Sequence, residues 1–197
     1  MIMLTHQERR SLVVNIEIPR DKYVYGEVHV DELDKGLDLG ITGALRQAAL
    51  TGCTRQIKAW NLAMPAVEPL VLDFGLGEFY KTGLIEYWIA NEIVAGYCGK
   101  FLFLFDGQTC PKHHHRMKLE TFFIVKGRVR MDYAGAVCEL GEGGTLLVEC
   151  QKPHQIIGLG PALILEISKP CVVADNFFAD PRIPIGGNYP SGQGAQS

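Results

Sequence analysis

The chain has no long apolar run, no excess of positive charge, no closely spaced cysteine pair and no internal repeat. No stretch approaches the roughly 18 apolar residues of a membrane span. The N-terminal MIMLTHQERRSLVV reaches charged residues too early for the apolar core of a signal peptide. A cytoplasmic chain with no membrane partner is therefore expected. With 19 Lys+Arg against 22 Asp+Glu, the formal charge is −3, and no basic stripe exists to neutralise phosphates, which argues against nucleic acid. The six cysteines (Cys53, Cys98, Cys110, Cys138, Cys150 and Cys171) form no C-x-x-C and lie in apolar or strand-like stretches. Structural thiols in a reducing compartment are expected, with no catalytic role. The missing repeat excludes two tandem barrels at this length.

What the chain does have is enough apolar material, 47% of 197 residues, to fill one sizeable core. Residues 12–30 read as extended chain or short strands. GALRQAALTG, rich in alanine and leucine and bounded by Gly43 and Gly52, reads as a packing helix. From residue 56 the pattern is one of short strands: QIKAWNLAM, PLVLDF, LIEYWIANEI, KFLFLFDG, ETFFIVKG, RVRMDY, TLLVEC and ALILEIS, separated by turn residues. That density predicts an all-β, closed or sandwiched antiparallel architecture. FFIVKG and RVRMDY, meeting at Lys126-Gly127, are expected to pair as a hairpin, with glycine supplying the positive φ. Aromatics at strand spacing, Phe103, Phe122 and Trp88 among them, read as core. The chain divides into an N-terminal extension with the helix (1–55), a β-barrel (56–170) and a C-terminal segment (171–197). In that last part, 171–185 is read as a strap across the barrel and the final ten or so residues as disordered.

Chemistry concentrates in two places: His113, His114 and His115 in CPKHHHRMKLE, and His154 in QKPHQI. On a strand, residues i and i+2 share a face, so His113 and His115 can converge on one ion while His114 points away. Glu120 stands at odd spacing from His115 and reaches the same face only if a turn or bulge intervenes at Arg116 to Lys118. His154 comes from a separate strand as a fourth ligand, which leaves two positions of an octahedron open. Three imidazoles and a carboxylate suit Mn²⁺, Fe²⁺, Co²⁺, Ni²⁺ or Zn²⁺, and the donor set does not choose among them.

From Gly107 to Gly127 the chain reads G-x5-H-x-H-x4-E-x6-G through His113, His115 and Glu120. This string resembles the first motif of the cupin family at every position. Around His154 the second motif is looser, with Cys150-Gln151-Lys152 before the histidine and Gly158 four residues after it. Within cupins, FDGQTCPKHHH, Lys118 two residues before Glu120, and DNFFADP near the end resemble the D-lyxose isomerase group, over roughly residues 95 to 182. The resemblance implies a single cupin jelly-roll barrel and makes His113, His115, Glu120 and His154 metal ligands. It further makes Lys118 a catalytic acid/base and Asp180 its partner. Thr121 and the shorter Asp180 depart from the family pattern.

The implied reaction is aldose–ketose interconversion of a small free sugar, with a divalent ion as cofactor, manganese first and zinc, iron, cobalt or nickel open. Glu166, a charge in the apolar strand ALILEIS, is a further catalytic candidate, because an acid facing a barrel interior needs a partner. A lysine near a cation in a partly apolar barrel is expected to have a lowered pKa. Two other readings stand beside the isomerase: a cupin that binds metal and sugar without turnover, and an Fe(II) dioxygenase. Edge-to-edge pairing of barrels, which hides open strand edges, predicts a homodimer.

Overall fold

The computed structural model describes residues 39–187. The strands expected in 12–30 and the tail after 187 lie outside them.

Helix α1 (Gly43–Ala59) buries Ala49, Cys53 and Ile57, spaced i, i+4, i+8 along one face. It is longer than GALRQAALTG alone suggests. Gln56 to Ala59, read from sequence as the start of the first strand, is the last turn of this helix, because Ile57 continues the stripe that Ala49 and Cys53 begin. Asn61, at φ +54, takes the chain out of the helix.

Eleven strands follow: β1 (Leu70–Leu72), β2 (Leu84–Glu92), β3 (Tyr97–Leu104), β4 (Thr109–His114), β5 (Glu120–Lys126), β6 (Arg128–Tyr133), β7 (Ala136–Gly141), β8 (Thr145–Val148), β9 (His154–Gly158), β10 (Ala162–Ser168) and β11 (Phe177–Phe178). They form a six-stranded sheet in the order β1-β2-β3-β10-β5-β8 and a five-stranded sheet in the order β11-β4-β9-β6-β7. Every named pairing is antiparallel. The all-β jelly-roll expectation is met: two sheets face each other and the chain passes repeatedly from one to the other.

Between the sheets lies a core that includes Leu84, Leu102, Phe122, Ile124, Met131, Ile156 and Ile164. A second cluster joins the helix to the outer face of the six-stranded sheet through Ile85, Phe103 and Leu163. Strands β2 and β3 are thus covered on both faces over part of their length, which explains why LFLF reads as a continuous apolar run instead of an alternating one. Each fully buried Leu, Ile or Phe contributes about 1.5 to 3 kcal/mol.

Four of the six cysteines are buried, Cys150 is partly buried and Cys138 is exposed, and all six are free thiols. The strap reading of 171–185 takes concrete form in β11, which pairs with β4 through Phe177↔His114 and Phe178↔His113. The hairpin expected at Lys126-Gly127 does not form. Strand β5 belongs to one sheet and β6 to the other, so this turn carries the chain across the core. The hairpin is β6–β7 instead, closed by Ala134 and Gly135 at φ +52 and +87, the two positive values that a two-residue loop matching strand twist requires.

Gly127 is fixed at the crossing by space as well as by conformation. Its φ is +77, and a Cβ there would lie 2.1 Å from the Pro161 carbonyl oxygen. Gly127→Ala is expected to lower stability by about 2 to 4 kcal/mol. Gly99→Ala, on β3 with nothing within 4 Å and no positive φ, is expected to change it by about 0.5 kcal/mol or less. Denaturant unfolding of the two variants measures the contrast.

Candidate metal centre

Strand register assembles the site. His113 on β4 pairs directly with His154 on β9, and Glu120 opens β5 in the facing sheet. The His113 ring centroid lies 4.2 Å from that of His154 and 4.9 Å from that of His115. The ligand nitrogens of the three histidines fall within 4.8 Å of one another. Glu120 reaches two of the three rings: its Oε2 is 3.3 Å from His115 Nε2 and 3.2 Å from His154 Nε2. His114 points away, as strand alternation requires, and stacks on Phe177 with centroids 5.1 Å apart.

Backbone carbonyls orient all three rings. His113 Nδ1 lies 2.7 Å from the Pro111 oxygen, His115 Nδ1 3.1 Å from the Asp175 oxygen, and His154 Nδ1 3.1 Å from the Lys152 oxygen. A carbonyl only accepts, so Nδ1 carries the hydrogen and, in the neutral ring, Nε2 presents a lone pair. Burial, followed by the two neighbouring imidazoles, holds His113 well below its ordinary pKa. His115 Nε2, His154 Nε2 and Glu120 Oε2 are buried without a hydrogen-bond partner. Electron pairs gathered on one dry point repel each other, and a cation removes the conflict. Two ligands at right angles on an ion about 2.1 Å from each are separated by about 3 Å, close to the two separations observed. Donor type, orientation and spacing therefore fit a divalent first-row ion.

Glu120 is brought onto this face by the turn that its odd spacing demands, and the builder of that turn went unnoticed in the sequence. Asp175, buried in a 3-10 turn at Val173–Asp175, accepts the backbone N–H groups of Arg116, Met117 and Lys118 at 3.0, 3.1 and 3.0 Å. Its own carbonyl orients His115. Asp175 follows the apolar run Cys171 to Ala174, but nothing local indicates that its partners stand 57 to 59 residues earlier.

A line of buried charges leads away from the imidazoles. Lys118 Nζ is 2.7 Å from Glu120 Oε1 and 2.6 Å from Glu166 Oε1. Glu166 also accepts from Ser168 Oγ at 2.9 Å and lies 3.5 Å from Lys100 Nζ. Lys100 is 2.8 Å from Glu86, whose other oxygen accepts Trp88 Nε1 at 2.7 Å. Glu166 faces the interior, and Lys118 bridges it to Glu120.

Asp180 is not brought to the cluster. It forms a surface ion pair with Arg182 at 2.6 Å, which lowers its pKa to about 2, and does not line the cavity that Lys118, Glu120 and Glu166 share. The lowered Lys118 pKa expected from sequence presupposes a bound cation, and the protein groups alone act in the opposite sense. Burial opposes the ammonium, but Glu120 and Glu166 outweigh it and raise the pKa above its ordinary value. Glu166 is held below the usual carboxylate range: burial pushes it up, and Lys100 and Lys118 more than offset that.

If the rings bind as their geometry suits, metal analysis after loading with Mn²⁺ will find one ion per chain in the parent and in His114→Ala. His113→Ala is expected to lose it. Equal metal content in all three proteins would refute the ligand set.

A family model described as Cupin domain matches residues 103–168. The D-lyxose/D-mannose isomerase of Thermosediminibacter oceani is 41% identical over 141 residues, 57% of this chain and 77% of that protein. The D-lyxose ketol-isomerase of a Thermofilum species is 48% identical over 46 residues, 23% of this chain and 24% of that protein. Among solved structures, the L-ribose isomerase of Acinetobacter sp. DL28 in complex with L-ribose has a TM-score of 0.62 at 14% identity and covers 74% of this chain and 95% of that one. At that identity the likeness is one of fold. The identity shared with the Thermosediminibacter protein, over most of its length, places this chain in the same cupin family.

Proposed function

We propose that the protein is a metal-dependent aldose–ketose isomerase of free sugars, with D-lyxose and D-mannose, the sugars named for the Thermosediminibacter relative, as its first candidate substrates. The observation that carries this reading is the single cavity lined at once by His113, Glu120, Lys118 and Glu166. It combines cation ligands, a donor and a carboxylate within reach of one small molecule.

The reaction moves a proton between C1 and C2 while O1 and O2 exchange roles. A divalent ion held by His113, His115, His154 and Glu120 would supply Lewis-acid stabilisation of the negative charge that develops on those oxygens; Mn²⁺ is the ion proposed. Glu166, kept ionised by Lys100 and Lys118, is the group suited to take the carbon-bound proton and return it to the neighbouring carbon. Lys118, kept protonated by Glu120 and Glu166, donates to a sugar oxygen and holds Glu166 on the cavity side. Phe122 and Phe178 close the same cavity and limit water around the exchanging proton. Assigning the base to Glu166 and the donor to Lys118 follows from their place on the cavity they share with His113 and Glu120, and no role is left for Asp180, which pairs with Arg182 at the surface.

Glu166→Gln is expected to lower kcat on D-lyxose by about 10²- to 10⁴-fold with bound Mn²⁺ unchanged, and Asp180→Ala to leave kcat unchanged. Turnover surviving in Glu166→Gln would refute the assignment. Absence of turnover by the Mn²⁺-loaded parent on a panel of aldoses and ketoses would refute the function.

A further inference from the structure

The isomerase reading uses one end of the buried charge line and leaves the other unexplained. Register sets out the whole line. On the inner face of the six-stranded sheet, Trp88 pairs with Lys100, Lys100 with Glu166, and Glu166 with Phe122 beside Glu120. With strands about 4.8 Å apart, Lys100 stands one strand beyond Glu166, and Glu86 stands one strand further. Glu86 and Lys100 line the inner cavity together with His113 and Glu120, and they also line an outer vestibule walled by Leu70, Trp88, Val173 and Ile185. The two spaces also share Phe74, Asn176 and Phe178, so Glu86 and Lys100 are the charged part of the throat between them.

We propose that Glu86 and Lys100 are the far end of the substrate site, a pair that binds the terminal hydroxyl groups of an acyclic five- or six-carbon sugar whose C1–C2 end lies at the imidazoles. Their bonding capacity fits that task. Lys100 has three N–H donors, of which Glu86 and Glu166 engage two. The Glu86 oxygens accept from Lys100 and Trp88 and have lone pairs to spare. A hydroxyl both donates and accepts, so an ion pair that offers one donor beside a carboxylate matches it. Phe74, Leu84, Leu102 and Phe178 supply apolar walls for the C–H faces of the chain. A terminal phosphate would meet the Glu86 carboxylate, with Lys100 already shared by two acids. The proposal rests on the isomerase reading, and it makes Glu86 a determinant of affinity and chain length instead of chemistry.

The test is calorimetric titration of the Mn²⁺-loaded protein with D-arabinitol and D-mannitol, acyclic polyols that cannot be isomerised, alongside kinetics on D-lyxose and D-mannose. Glu86→Leu leaves Lys100 paired with Glu166. It is expected to raise the Kd of both alditols and the KM of both aldoses about tenfold, with kcat within about threefold and metal content unchanged. Glu86→Gln, which keeps a hydrogen-bonding amide, is expected to recover part of the affinity. An unchanged alditol Kd in Glu86→Leu, or a loss confined to kcat, overturns the proposal. Should Glu86→Leu fail to fold, Glu86→Gln alone decides, and parent-like Kd and KM in it overturn the proposal equally. A parent protein that neither binds an alditol nor converts an aldose overturns the isomerase reading as well. A parent that turns over while Glu86 proves indifferent overturns the throat proposal only.

Discussion

The structure depends on a repulsion: three imidazole nitrogens and a carboxylate oxygen are aimed at one buried point, and two of the nitrogens and that oxygen have no hydrogen-bond partner. Left to themselves such groups would turn toward donors or water. They are prevented because each ring is tied at its other nitrogen to a backbone carbonyl, and because Glu120 is tied through its other oxygen to Lys118. The fold holds a conflict in place that a cation resolves, which is what a site for a hard or borderline ion requires.

The same logic extends along the six-stranded sheet. Three acids, Glu86, Glu120 and Glu166, alternate with two lysines, Lys100 and Lys118, in a nearly dry interior. Burying charges on this scale costs several kcal/mol each, and close pairing offsets much of the cost without exceeding what an apolar core would provide. A chain selected only for stability would fill these positions with leucine. Their presence beside the imidazoles is intelligible as chemistry, with the core of Leu84, Leu102, Phe122 and Ile164 offsetting the cost of burying them.

Much of this was legible in the sequence, for physical reasons that differ by element. The convergence of His113 with His115 and the outward turn of His114 follow from the two-residue period of a strand, which tertiary context does not alter. That a turn must bring Glu120 back to the same face also followed from parity. Which group builds that turn did not, since Asp175 acts from nearly sixty residues away. Gln56 to Ala59 reads as strand because a four-residue window cannot show that Ile57 extends the stripe of Ala49 and Cys53. Lys126-Gly127 reads as a hairpin because a glycine at positive φ serves a tight loop and a passage between sheets equally well. Asp180 rests on family resemblance alone, and Arg182, two residues on, occupies it at the surface. Glu166 lies inward because it shares the alternation of Ile164 on β10, which faces the core between the sheets.

Asp175 has a consequence for how the molecule matures. The acid that shapes residues 116–118 arrives only after nearly all of the jelly roll between them has been synthesised. Closing so long a loop costs chain entropy that earlier pairings must already have covered. The pocket is complete only when the strap has met residues 116–118, so a cation held by the three imidazoles and Glu120 would mark a chain with both sheets threaded.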